Sequence, residues 1–99
     1  MDESIVKHLV PADLDAVSRT LLMAADIIER RGHCRGSSVG PDGSVCAIHA
    51  INVAGNFDSH AFEAKARLSE RLRDSIAFWS DTSPTKTVVA TLRRVALGG

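Results

Sequence analysis

The sequence predicts an all-α fold, a compact single-domain bundle of three to four helices around a short apolar central helix. Three observations carry this. Long segments repeat apolar residues at the 3.6-residue spacing that puts them on one helix face. Residues 45–54 are apolar almost all round, which suits a buried element. Clusters of Gly, Pro, Ser and Asp separate these segments, as turns require.

Residues 1–12 form a short lead-in. Ile5, Val6, Leu9 and Val10 are apolar and Pro11 closes the segment. It reads equally as a short helix, a strand or an arm that packs on a partner. The first clear helix runs from Asp13 to Arg31, with Leu14, Val17, Leu21, Ala24, Ala25 and Ile28 on one face. Asp13 or Asp15 can cap it by accepting free backbone amides. Arg30 and Arg31 suit the negative end of its dipole, and Gly32 supplies the left-handed stop.

Residues 33–44 read as a loop. In the apolar segment 45–54 three alanines favour helix, although a buried strand fits so short a run as well. Ser44 is the expected cap and Gly55 the expected end. Residues 61–79 read as one long helix striped by Leu68, Leu72, Ile76 and Trp79, with Glu63 and Arg67 paired four apart. Residues 80–84 break it. Ser83 or Thr85 then caps a last helix to Leu97, Pro84 fits its first turn, and Val88, Val89, Leu92, Val95 and Ala96 make its buried face. No linker or repeat divides the chain, so residues 1–99 read as one domain.

Composition narrows the function classes. Hydrophobic residues make up 44% and charged residues 24%, a globular balance. Basic and acidic residues number 12 each, so the net charge is zero. Long-range attraction to nucleic acid or to an anionic membrane is therefore weak, and self-association is easier. Nine of the basic residues are Arg, a skew that codon usage explains. The acidic start Met1-Asp2-Glu3-Ser4 lacks the basic end of a secretory leader, and no apolar run approaches the ~20 residues of a membrane span. A cytoplasmic protein with reduced cysteines is expected.

These residues also form a pattern. Leu22, Ala24, Ala25, Asp26 and Ile28 lead to Gly32 and Cys34. Gly43, Cys46, Ala50, Ile76 and Trp79 follow, and then Asp81, Thr85, Val88, Leu92 and Ala96. Over residues 20–97 the chain resembles a family of small proteins from actinobacteria and their phages, a domain of unknown function numbered 6197. Ser80 stands where that pattern has Asn, and His33 where an aromatic residue is commoner. The resemblance implies a helical fold and a phage or prophage setting. It implies no activity.

Four constellations could carry chemistry. His33, Cys34, Cys46 and His49 offer two imidazoles and two thiols, the donor set of tetrahedral zinc. Adjacent His33 and Cys34 converge poorly on one metal, however, and no closely spaced cysteine pair is present. Buried thiols at the return of the loop to the core fit better, and a Cys34–Cys46 disulfide is the other reading. Cys46 and His49, three apart, would share a helix face as a nucleophile and base, but no orienting group accompanies them. Arg71, Arg73, Arg93 and Arg94 could contact phosphates, or be solvated helix faces balanced by Glu70 and Asp74. Trp79, the single Trp, fits a cap on the core and could also anchor an interface. Asp81 suits a role accepting turn amides.

The expected function is therefore non-enzymatic: a small binding or accessory protein that contacts another protein, with a homodimer as one form of it. No catalytic residue, cofactor or metal is expected; Cys34, Cys46 and His49 are the weak metal candidates. Ile5, Val6, Leu9, Val10 and Trp79 are the interface candidates. The alternatives are a nucleic-acid binder using the last helix, then a metal or thiol site at His33, Cys34, Cys46 and His49.

Overall fold

The computed structural model describes residues 15–98. Among them five helices follow one another: α1 (Ala16–Arg31), α2 (Ala47–Ala54), α3 (Ser59–Leu72), α4 (Ile76–Thr82) and α5 (Thr85–Ala96). The fold is all-α. The lead-in carrying Ile5, Val6, Leu9 and Val10, together with Asp13 and Leu14, lies outside the described residues.

Helix α1 begins at Asp15, whose carboxylate accepts the Ser18 amide at 2.8 Å. It stops at Gly32, which takes φ 94° and returns its amide to the Ile28 carbonyl. Its apolar face packs on α5, α2 and α3. Val17, Leu21, Ala24, Ala25, Ile27 and Ile28 are all buried there.

Helix α2 is the hub. Ala47, Ala50 and Ile51 are fully buried, while Ile48, Val53 and Ala54 pack against the core from its margin. Around it close α1, α3 and the short α4. Alanines line much of the contact: Ala24 and Ala25 on α1, Ala47 and Ala50 on α2, Ala61 and Ala64 on α3. Small side chains let helix axes approach closely, so the core is filled without an aromatic ring. Leu21, Ile28, Ile51, Leu68, Leu92 and three valines supply the bulk.

Three sequence expectations need correction. The central helix starts at Ala47, because Val45 is spent on pairing. Val45 bridges His33 in parallel and Val39 in antiparallel register. Cys46, not Ser44, is the cap, its sulfur accepting the His49 amide at 3.3 Å. Ser44 is buried and donates to the Asp42 carboxylate at 2.6 Å.

The expected 61–79 helix is two. Arg73 turns into the left-handed region at φ 57° and Ser75 caps a new helix by accepting the Phe78 amide at 3.0 Å. Ile76 and Trp79 therefore reach the core from a different axis than Leu68 and Leu72. Arg67 also points elsewhere than along its own helix to Glu63. It bonds Asp15 at 3.0 Å and Ser18 at 2.8 Å, tying α3 to the start of α1.

At α5 neither Ser83 nor Thr85 caps. Pro84 holds the cap position without a side-chain bond, and Thr85 is already helical. The expected buried face of α5 is observed, with Thr91 added.

Gly55 ends α2 where α3 crosses it. Its φ of −97° suits any residue. A β-carbon there, however, would stand 2.6 Å from the Ala61 amide nitrogen and 2.8 Å from the Ala61 β-carbon. The glycine is required by space. Gly55→Ala should therefore lower stability by roughly 1–3 kcal/mol in equilibrium denaturation, as overpacking against backbone does. Unchanged stability would show that the α2–α3 junction is looser than described.

Candidate functional site

The loop 32–46 is fixed from both sides. Arg31 Nε donates to the Gly43 carbonyl at 2.9 Å, and Arg35 donates to the Ser83 carbonyl at 2.7 Å. Asp81 accepts the Gly36 amide at 3.0 Å. Asp81 thus takes a turn amide, the role its position suggested.

Beneath the loop lies a buried hydroxyl. Ser80 on α4 is fully buried and accepts the Ala47 amide at 3.1 Å. The first amides of a helix have no partner within it, and burial makes an unpaired one costly. Ser80 supplies the acceptor from 33 residues away. Its oxygen also lies 3.1 Å from His33 Nε2, while Thr85 Oγ1 lies 3.3 Å from Nδ1. Neutral His33 with its proton on Nδ1 satisfies the set: Ser80 donates to Nε2 and Nδ1 donates to Thr85. His33 and Ser80 thus touch each other.

The four residues of the imidazole–thiol constellation diverge. The His33 ring turns to α4 and α5. Cys34 donates its thiol to the Ser37 carbonyl at 3.1 Å. Cys46 caps α2. The His49 ring meets Phe57 edge-on, with centroids 5.9 Å apart. Both cysteines are free and half-buried rather than fully buried. Among the described residues no group of three or more His, Cys, Asp or Glu side chains converges as a metal site would.

A shallow depression of about 240 Å³ opens between the loop and α4, lined by Gly36, Ser37, Ser38, Cys46, Ile48, Ala77, Ser80 and Asp81. A wider one of about 460 Å³ runs between α1 and α5 past Glu29, Thr85, Lys86 and Arg93. Arg93 is already engaged: it bonds Glu29 at 2.7 Å and Asp26 at 3.0 Å. That contact lowers the pKa of Glu29 and raises that of Arg93. Asp15 is likewise held well below the carboxylate range by Arg67 and the Ser18 amide.

The chain's three phenylalanines stand outside the core. Phe57, Phe62 and Phe78 are 66%, 71% and 60% exposed. Trp79 is half-buried and packs against the core. Phe57 is held in place by backbone geometry: Asn56 and Phe57 both adopt left-handed φ, 57° and 58°, and the Phe57 amide donates to the Asn52 carbonyl at 2.7 Å. Such conformations cost a bulky residue on the order of 1–3 kcal/mol. Sequence reasoning gave these rings no role, because nothing local shows whether a single Phe in a turn or on a helix meets the core or solvent.

A model of one protein family, described as a family of unknown function (DUF6197), matches residues 13–97. Neither a curated protein nor a solved structure matches the chain. No helix among the described residues is long and apolar enough to cross a membrane.

Burial, and then the nearby Arg35 charge, push the His33 pKa below its ordinary 6.5. The unfolded chain therefore takes up this proton first as pH falls. The stability due to neutral His33 is full above the ordinary value and is lost as pH drops through the folded one. Thermal melts between pH 7.5 and 5.5 should show the midpoint falling for the native chain and falling less for His33→Gln. Parallel curves would remove His33 from the account.

Proposed function

The chain belongs to the family of unknown function DUF6197, and on that premise we propose that it is a non-enzymatic contact module that works by binding another protein. One observation carries the reading: every phenylalanine is exposed while the core is closed by Ala, Val, Leu and Ile. Burying such a ring is worth about 1.5–3 kcal/mol relative to leaving it in water. A chain that keeps all three outside, one of them on strained backbone, forgoes that stabilisation in isolation. A partner that covers them recovers it, and aromatic rings in desolvated pockets are frequent anchors of interfaces.

Charge favours the same reading over nucleic-acid binding. Net charge is zero, and Arg93, one of the candidate phosphate contacts, is occupied by two carboxylates. The His33–Ser80 pair also suits support rather than nucleophilic chemistry. Ser80 is fully buried and its oxygen already serves the Ala47 amide. The reading places the protein in the cytoplasm and in a phage or prophage setting, with a second copy of the chain as one candidate partner. The family resemblance supports the setting.

Phe62 and Phe78 test the proposal, because neither has a ring partner among the described residues. Phe62→Ser/Phe78→Ser should change the free energy of unfolding by no more than about 0.5 kcal/mol per site, as surface substitutions do. The same variant should lose the protein partner captured by the native chain, or the self-association seen by sedimentation. Undiminished capture or association would contradict the proposal.

A further inference from the structure

We propose that Cys34 and Cys46 form a reversible disulfide that controls the cap of the central helix. The inference rests on register and stands apart from the proposed function. His33 and Val45 form a parallel bridge: the Cys34 amide donates to the Val45 carbonyl and the Val45 amide to the Gly32 carbonyl, each at 3.0 Å. The bridge is isolated, because the Ala47 amide turns to Ser80, but one step further along its register Cys34 stands opposite Cys46. Neighbouring strands lie roughly 4.8 Å apart and paired residues share a face. That separation falls inside the window of roughly 4.4–6.8 Å between α-carbons that a disulfide accepts.

Both thiols are half-buried, so a small reagent can reach them. In the reduced protein each sulfur is engaged elsewhere, Cys34 with the Ser37 carbonyl and Cys46 with the His49 amide. Forming the S–S bond requires each side chain to turn about its Cα–Cβ bond and leave that partner. The His49 amide then loses its acceptor at the start of α2. Oxidation would therefore be felt by the hub of the fold.

The oxidant is a small disulfide such as oxidised glutathione. One cysteine thiolate attacks it, releasing one glutathione thiol and leaving a mixed disulfide. The second cysteine thiolate attacks the protein-bound sulfur and releases the second glutathione thiol. Two cysteines lose two hydrogens and one glutathione disulfide becomes two thiols.

The test uses the full reduced chain incubated with oxidised glutathione, trapped by acid and read by mass spectrometry and amide exchange. The expected product is monomeric, lighter by two hydrogens, with Cys34 and Cys46 in one cross-linked peptide that dithiothreitol separates. Its His49 amide should exchange faster than in the reduced chain. Cys46→Ser, which keeps an oxygen to cap α2, should fold and stop at a glutathione adduct on Cys34. Stable glutathione adducts on both native cysteines, or only intermolecular dimers, would overturn the pairing. An unchanged His49 exchange rate in the cross-linked chain would overturn the link to the cap.

Discussion

The hydrogen bond from the Ala47 amide to Ser80 Oγ is the contact on which the rest of the structure depends. Helix α2 is eight residues long and too short to persist in water by itself. It exists because α1, α3 and α4 remove its apolar surface from water. That same burial leaves its first amides needing acceptors where solvent cannot supply them. Cys46 answers for His49 and Ser80 answers for Ala47. Ser80 in turn meets His33, and His33 meets Thr85, so one polar set joins the central helix, the loop, α4 and α5. Among the described residues no buried side-chain nitrogen or oxygen is left without a partner.

The small-residue seam explains why so little else is needed. Alanines on α1, α2 and α3 bring those helices close, and Gly55 lets α3 cross the end of α2. A core closed this way takes one large ring, Trp79, at its margin. The phenylalanines stand on the outside, where they are the largest exposed apolar groups offered to another molecule.

Much of this was legible in the sequence, and the failures have physical causes. Helix α1 could be read nearly to its ends because its periodicity is long and Asp15 and Gly32 mark both termini. The alanines of 45–54 gave α2 correctly as helix, but not its start, because Val45 pairs with His33 and Val39, which are remote in sequence. The break at Arg73 was invisible for a different reason. The stripe Leu68, Leu72, Ile76, Trp79 keeps helical period across it, and a non-glycine residue in left-handed backbone gives no signal; the Asp74-Ser75 cap was the one clue. Ser80 read only as part of a breaker, since nothing local reveals that a hydroxyl will meet an amide 33 positions away. The candidate chemistry at His33, Cys34, Cys46 and His49 was legible as a cluster in sequence, and the fold sends its side chains to different partners.

The most direct test of the central claim is the equilibrium unfolding free energy of Ser80→Ala. The substitution removes one buried oxygen and leaves the volume nearly filled. If Ser80 is the acceptor that a buried helix start requires, the variant should lose about 1–3 kcal/mol, the cost of stranding a buried amide. A loss of only a few tenths would mean that α2 holds its place by apolar packing alone.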